Sequence, residues 1–221
     1  MIELLENFAN TLIPVWKPKN IYSTDIVRFI KNKYRVKAGH AGTLDPFAEG
    51  VLIIATGSKT KVIEDNQLLS KTYHGAIELG KETNTLDVLG ETFKQKPLIR
   101  ISENKVKDVL STFEGNIKQR PPAFSALRKN NVRLYKLARK DIYINLKPRE
   151  VEIYSIKLIS FKDNIIEIEV KCGKGTYIRS LARDVALSLG TYGYLKSLKR
   201  LSIGPYDRDS CVNINFDDYK G

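Results

Sequence analysis

Apolar residues at helical spacing predict three amphipathic helices in this chain. The first is expected to have Ser23 or Thr24 as its cap and to run to about Lys33. The second, ENKVKDVLSTFEG, is expected to have Ser102 as its cap and to close at Gly115. The buried side of the first helix is expected to hold four apolar residues: Ile26, Val27, Phe29 and Ile30.

The third predicted helix carries a long apolar stripe. It is expected to begin after Thr176 as its cap and to stop at Gly190. Arg179 and Arg183 lie four residues apart and off the stripe, so they share a different face of the helix. The stripe follows the i, i+3, i+4, i+7 and i+11 positions: Ile178, Leu181, Ala182, Val185 and Leu189.

Short apolar runs between these helices predict strands, so the chain is expected to mix α and β structure. A further helix is expected at 58–69, and two stretches, 37–50 and 83–91, are expected to form loops. No internal repeat is visible in the sequence. The predicted strands lie at 51–55, 71–80, 150–160, 165–171 and 194–204.

Length and composition favour one compact domain. The chain has 221 residues, of which 42% are hydrophobic; this is enough for one sizeable core and too short for two full domains. No apolar run approaches the roughly 20 residues that span a bilayer, and Glu3 and Glu6 replace the basic start of a signal peptide. We therefore expect a cytoplasmic protein that does not bind a membrane.

The few cysteines and histidines predict chemistry without a metal or another cofactor. Two cysteines do not form a disulfide framework, and two histidines do not complete a zinc site. Cys172 is expected to be a small core residue rather than a nucleophile.

The charge of the chain indicates an anionic partner. Thirty-seven basic residues against 25 acidic ones give a net charge of +12, which favours nucleic acid. Basic residues concentrate in 118–149, where aromatic residues interleave with them. This segment predicts contacts with a phosphate backbone, and a solvated charged face remains the alternative. Three of its residues are candidates for RNA backbone contacts: Arg128, Lys129 and Arg133.

The glycine-punctuated stretch GHAGTLDPFAEG contains the strongest candidate for catalysis. Asp45 precedes Pro46, which fixes its own φ and favours an extended conformation for the aspartate. A carboxylate on a rigid turn can act as a nucleophile or a general base. An Asp-Pro pair alone is more often an ordinary turn.

Five segments in order resemble the TruB family of tRNA pseudouridine synthases over roughly residues 14–205. GHAGTLDPFAEGVLIIATGSKTK follows the family pattern G-H-x-G-x-L-D-P-x-A-x-G-V-L and G-x-x-T-K closely. The other segments are KTYHGAIELGKETNTLD, RPPAFSALRKNNVRLYKLAR, CGKGTYIRSLARDVALSLG and LKSLKRLSIG. Three positions depart from the pattern: Trp16 and Asn20 in the opening segment, and Asn84 where the family usually has aspartate.

The resemblance implies an α+β pseudouridine synthase fold, in which helices flank a mixed, mainly antiparallel central sheet. It implies one catalytic domain over 1–221, with residues 118–149 as an RNA-gripping thumb and no C-terminal PUA domain. It also implies that Asp45 is the catalytic residue. Six further residues match substrate-binding positions of the family: Tyr73, Arg179, His40, Lys61, Leu198 and Asp87.

Some of these positions come with a role that the resemblance implies. Tyr73 would stack on the flipped base, and His40 would help displace it from the T loop. Arg179 would keep Asp45 ionised and fix its direction. Lys61 would contact phosphate or the wall of the site, and Leu198 would pack against the base.

The function that the resemblance implies is isomerisation of a uridine, position 55 in the T loop of tRNA, to pseudouridine. We expect a monomer that needs no protein partner, guide RNA or cofactor. Two alternatives stay open: a non-catalytic RNA-binding protein or tRNA chaperone on the same scaffold, and a guide-dependent enzyme like those of box H/ACA particles. Activity on naked tRNA distinguishes these possibilities.

Overall fold

The structure, a computed structural model, describes residues 8–97, 100–129, 132–140, 142 and 144–212, with only the backbone at 129. The chain divides into two compact units. The first holds residues 8–73 and 199–212, and the second holds residues 74–198. Within the described ranges, no helix is long and apolar enough to cross a membrane. The expectation of a single domain with an inserted thumb stays a prediction.

The first unit is built around a central strand, β3. Strand β1 (Leu12–Lys17) pairs with β3 (Glu49–Thr56) in antiparallel register. Strand β2 (Ala38–Ala41) is also antiparallel to β3, whereas two residues of β12 (Gly193–Ile203) pair with it in parallel. Three helical segments complete the unit: α1 (Ser23–Tyr34), a 3-10 helix (Gly57–Val62) and α2 (Ile63–Leu68).

The apolar side of α1 packs against the sheet of the first unit. Ile26 and Ile30 have no exposed surface and lie one turn apart, as the predicted stripe requires. They share a core cluster with residues of β1 and β3, among them Val15 and Leu52. The helix is thereby fixed on the sheet, and its polar side faces outward.

The second unit contains a sheet in which β12 is followed in order by β4 (Lys71–Leu79), β11 (Ile165–Cys172), β10 (Arg149–Lys162) and β7 (Gly115–Gln119). Strand β10 is antiparallel both to β11 and to β7. Asp163 and Asn164 have φ values of 49° and 65° at the tight turn between β10 and β11, a conformation that suits this turn. The elements in chain order are β4 (Lys71–Leu79), β5 (Lys81–Thr83), β6 (Thr92–Gln95), α3 (Glu103–Ser111), β7 (Gly115–Gln119), β8 (Arg128–Lys129), β9 (Val132–Arg133), α4 (Leu134–Ala138), β10 (Arg149–Lys162), β11 (Ile165–Cys172) and α5 (Ile178–Ser188).

This architecture confirms the predicted fold class. The sheets are mixed and mainly antiparallel, helices accompany them, and each strand predicted from an apolar run is present. Ser102 caps α3, with its hydroxyl oxygen 3.2 Å from the N–H of Lys105. Cys172 is 1% exposed, as expected of a core residue.

Three predicted helix boundaries are wrong. Tyr22, not Ser23 or Thr24, is the N-cap of α1, because the Ser23 hydroxyl binds a loop instead. Tyr177 is the N-cap of α5, because the hydroxyl of Thr176 donates to the carbonyl of Gly173.

The third wrong boundary is the end of α3. This helix ends at Ser111, four residues before the expected Gly115. Gly115 has a φ of 87° and begins β7.

Two of the predicted segments differ from the structure expected for them. Residues 37–50 include β2 and the start of β3, which leaves residue 37 and the loop 42–48 outside the strands, because pairing with β3 overrides the weak strand propensity of the glycines. Residues 58–69 form a 3-10 helix followed by α2 rather than one helix.

Candidate functional site

Asp45 lies in the loop 42–48, which joins β2 to β3 in the first unit. The N–H of Ala48 donates to the carbonyl of Asp45 over 3.1 Å, which closes a four-residue turn. Pro46 occupies the second position of this turn, where its fixed φ favours the bend. Asp45 is half-buried. Its carboxylate is therefore carried by a closed turn.

Ser23 holds the loop on the N-terminal side of Asp45. Its hydroxyl donates to the carbonyl of Leu44 over 2.9 Å and accepts from the N–H of Leu44 at 3.0 Å. Ser23 and Leu44 are each 2% exposed. Because Ser23 is the first residue of α1, this pair ties the residue before Asp45 to a helix that is fixed in the core.

Lys17 holds the loop on the other side of Asp45. The Lys17 side chain has no exposed surface. Its ammonium donates to the carbonyls of Pro18, Pro46 and Ala48 at 2.8, 3.3 and 2.7 Å. Three donors meet three acceptors, so the buried charge has a full set of hydrogen bonds.

Burial lowers the pKa of Lys17 to about 8. The negative charge of Asp45 opposes this shift, and the positive charge of Arg200 adds to it. A buried charge is costly unless it is paired and hydrogen-bonded, as the ammonium of Lys17 is. The buried ammonium of Lys17 and the carboxylate of Asp45 therefore interact electrostatically.

Arg200 binds the backbone on either side of Asp45, at the first residue of the loop and in β3. Its Nε donates to the carbonyl of Val51 over 2.7 Å and its Nη2 to that of Gly42 over 3.1 Å. Gly42 has a φ of 81°, a conformation that glycine adopts at little cost. The carbonyl of Gly42 is thereby held by a side chain that is only 1% exposed.

The other predicted site residues of the first unit differ in burial. His40 lies in β2 opposite Ile54 and is half-buried, so it belongs to a strand rather than to a loop. Tyr73 is 8% exposed in β4. Lys61 is exposed in the 3-10 helix.

Arg179 forms a buried cluster in the second unit. Its guanidinium donates to the carbonyls of Thr85 and Phe124, both at 2.9 Å, and lies 3.5 Å from the carboxylate of Asp87. The residue is only 5% exposed. One side chain thereby joins α5 to the loop 84–91 and to the segment that follows β7.

Asp87 is held in turn by its own loop. Its carboxylate accepts from the hydroxyl of Thr85 at 2.7 Å and from the N–H of Leu89 at 3.0 Å. Because the carboxylate faces two donors and a guanidinium, its direction is determined from three sides. Two residues that the resemblance assigned to substrate binding therefore contact each other.

Leu198 is a buried residue of β12. It is 5% exposed, and its Cδ1 lies 3.6 Å from where a Cβ on Gly75 would stand. That distance is ordinary van der Waals contact, so Leu198 packs beside Gly75 of β4. Leu198 is apolar and packed, in keeping with a wall rather than a chemical group.

The basic segment carries a small hairpin in which β8 pairs with β9. Arg128 and Arg133 stand directly opposite each other and are exposed. The side chain of Lys129 lies outside the described residues. The base of the segment is fixed to α5, since the side-chain oxygen of Gln119 accepts from the N–H of Tyr177 at 2.8 Å.

Lys17 and Arg200 were not singled out by the sequence analysis. Each is a charged residue at the end of or within an apolar strand, which is the one local feature that could have identified them. No group of three or more His, Cys, Asp or Glu residues suited to hold a metal ion occurs among the residues described.

Known proteins share both the sequence and the fold of this chain. The tRNA pseudouridine synthase B of Thermosipho melanesiensis is 43% identical over 200 residues, which cover 90% of this chain and 66% of the relative. The protein of the same name from Clostridium tetani is 39% identical over 206 residues, which cover 93% and 71%. The chain spans about two thirds of the length of these curated relatives.

Two solved structures match most of the chain. A Cbf5-Nop10-Gar1 complex matches with a TM-score of 0.70 and 29% identity, over 95% of this chain and 53% of the other. An H/ACA RNP bound to a substrate RNA matches with a TM-score of 0.69 and 26% identity, over 96% and 53%. A family model described as TruB family pseudouridylate synthase (N terminal domain) matches residues 28–178. This chain therefore belongs to the TruB family of pseudouridylate synthases.

Proposed function

We propose that this chain converts a uridine in tRNA, at position 55 of the T loop, to pseudouridine, with Asp45 as the catalytic carboxylate. The observation that carries the proposal is the position of Asp45: it stands on a closed turn, inside the family signature, between two anchored residues. Such anchoring holds a reactive group in a productive direction and lowers the entropic cost of the reaction.

The proposed reaction is an isomerisation that needs no second reactant. The bond between N1 of uracil and C1′ of the ribose breaks, and the uracil rotates. A bond from C5 to C1′ then forms, the hydrogen on C5 leaves as a proton, and N1 gains one. The Asp45 carboxylate serves this sequence by attacking the sugar, by attacking the base or by removing a sugar proton, and all three routes use its ionised form.

We propose roles for the other site residues on the basis of the family pattern. Tyr73 stacks on the target base, and His40 helps displace it from the T loop. Arg179 and Asp87 form one buried unit whose hydrogen bonds hold the loop 84–91 in place. Lys61 contacts phosphate, and Leu198 forms an apolar wall.

We further propose that the enzyme acts as a monomer in the cytoplasm, without guide RNA, metal or another cofactor. Sequence identity supports independence from a guide. It is 43% to a relative named tRNA pseudouridine synthase B and 29% to the chain in the Cbf5 complex. Activity of the purified chain on a naked tRNA transcript distinguishes this proposal from a guide-dependent enzyme.

The test is to incubate the chain with unmodified tRNA and to map pseudouridine by mass spectrometry. Asp45→Asn is expected to bind the tRNA and to form no product. Asp65→Asn is the matched control, because Asp65 is an exposed aspartate of α2, and it is expected to retain full activity. Absence of product from the wild-type chain on any tRNA would overturn the proposal in favour of a non-catalytic RNA-binding protein.

A further inference from the structure

A groove of about 420 Å³ opens along one side of α1 in the first unit. This is within the size range of small-ligand sites. The α1 residues that line it recur three and four positions apart, so they share one face of the helix. They are Thr24, Val27, Arg28 and Lys31.

The rim of the groove is basic. Arg28 and Lys31 are both exposed. Arg28 lies 3.4 Å from the carboxylate of Asp25, with 59% of its side chain exposed. An ion pair this exposed is weak, so the guanidinium can exchange it for a stronger bond to a phosphate.

The floor of the groove is apolar. Val27 and Ile63 line it together with the backbone of Gly39. A Cβ on Gly39 would lie 2.7 Å from Cδ1 of Ile63, so the glycine is what allows Ile63 to approach β2 closely. His40, which is half-buried, follows Gly39 and also lines the groove.

We propose that this groove binds one nucleotide of the RNA substrate, next to the one that His40 displaces. The base lies on the floor formed by Val27, Ile63 and Gly39. Its phosphate is bound by Arg28 and Lys31. A basic rim beside an apolar floor fits the combination of phosphate contacts and base stacking that binds single-stranded RNA. The identity of the ligand as RNA rests on the proposed function. The location of the site rests on the geometry of the groove.

The first test measures the affinity for an unmodified tRNA transcript as a function of salt. Arg28→Gln with Lys31→Gln is expected to weaken binding about tenfold at moderate salt and to reduce the slope of log K against log salt by about 1.5. Lys33→Gln is the matched control, because Lys33 lies on the same helix, is exposed and does not line the groove. Equal losses in the control and the double variant would overturn the inference, as would an unchanged slope in the double variant.

A second test needs no substitution. Lysine acetylation followed by mass spectrometry is expected to show that tRNA protects Lys31 at least fivefold and leaves Lys33 reactive. Equal reactivity of Lys31 with and without tRNA would overturn the inference. If pseudouridine forms but tRNA does not protect Lys31, the groove site is overturned and the proposed function is retained. If tRNA protects Lys31 but no pseudouridine forms, the proposed function is overturned and the groove site is retained.

Discussion

The Nη1 atom of Arg179 lies 3.5 Å from Oδ2 of Asp87, and the two side chains are only 5% and 7% exposed. Two opposite charges are therefore held together where water screens them little. Removing one partner of such a pair leaves the other charge buried, which costs far more than the pair contributes when intact.

We expect Asp87→Asn to lower the free energy of unfolding by about 3 kcal/mol, because the buried Arg179 guanidinium then loses the negative charge of Asp87. The amide oxygen can still accept from Leu89, so the loop keeps part of its hydrogen bonding. Urea denaturation at neutral pH measures the change. Tritium release from labelled tRNA is expected to fall at least tenfold, since the loop 84–91 loses its fixed geometry.

The control uses an exposed ion pair of the same unit. Lys107 and Glu103 pair across one turn of α3, with more than half of each side chain exposed. Glu103→Gln is expected to cost about 1 kcal/mol or less and to leave activity unchanged. Equal losses of stability in Asp87→Asn and Glu103→Gln would contradict the buried-pair interpretation.

Gly50 packs directly against the backbone of Arg200, and we expect this position to tolerate no side chain. Its φ is 127°, and a Cβ there would lie 2.6 Å from the backbone nitrogen of Arg200. Gly50→Ala is therefore expected to lower the free energy of unfolding by about 3 kcal/mol or more. The substitution separates β3 from β12 at the residues that begin their parallel pairing.

Gly115→Ala is the matched control for Gly50→Ala. Gly115 also has a positive φ, 87°, but no atom lies within 4 Å of a Cβ added there. This variant is expected to lose only the conformational cost, about 1 kcal/mol. If urea denaturation shows the same loss in the free energy of unfolding for both variants, the close approach of Arg200 does not contribute to the cost of Gly50→Ala.

Local sequence determined the helices and strands better than it determined their ends. The apolar stripe of α1 is buried as predicted, since helical periodicity is a property of neighbouring residues. Ser23 was expected to cap this helix, but its hydroxyl binds Leu44, which lies 21 residues away. Capping and anchoring use the same hydroxyl, and only the tertiary structure decides between them.

The site residues likewise divide into features that local sequence predicts and features that only the tertiary structure determines. Helical periodicity places Arg179 off the apolar stripe, which alone would favour an exposed arginine. The structure buries it because acceptors from Thr85 and Phe124, 94 and 55 residues away, reach it. The family pattern marked Arg179 without explaining it. Lys17 was not predicted from the sequence, because its three acceptors are backbone carbonyls and no residue pattern reveals them.

Lys17 is expected to make the stability of the protein rise with pH above about 8. Burial lowers its pKa from 10.5 to about 8. Between these values the unfolded state binds more protons than the folded state, so the free energy of unfolding increases with pH. Below about pH 8 both states hold the proton, and the cost of burying the charge is fully present.

Urea denaturation from pH 7 to 10.5 measures this contribution of Lys17. The difference in the free energy of unfolding between wild type and Lys17→Met is expected to rise across the window, by at most a few kcal/mol. Lys17→Arg keeps a charge that does not titrate there, so its curve is expected to run parallel to that of Lys17→Met. If the difference in the free energy of unfolding between wild type and Lys17→Met stays constant or falls with pH, the lowered pKa of Lys17 is contradicted.

The hairpin of β8 and β9 is expected to bind the RNA backbone. Arg128 and Arg133 stand directly opposite each other, and like charges in this position repel. A phosphate between them would relieve the repulsion and gain two charge-assisted hydrogen bonds. Arg128→Gln with Arg133→Gln is therefore expected to reduce the slope of log K against log salt by about 1.5, as measured by fluorescence anisotropy with labelled tRNA.

Lys105→Gln provides the comparison for the hairpin variants, because Lys105 is an exposed lysine of α3, outside the basic segment. It is expected to leave the slope unchanged. The hairpin variants are also expected to fold as stably as wild type or slightly more so, because the repulsion between the two arginines is gone. If the hairpin were only a solvated basic face, replacing Arg128 and Arg133 would not change the slope of log K against log salt for tRNA binding. Greater stability of the protein together with a smaller slope is therefore expected only if the hairpin contacts RNA.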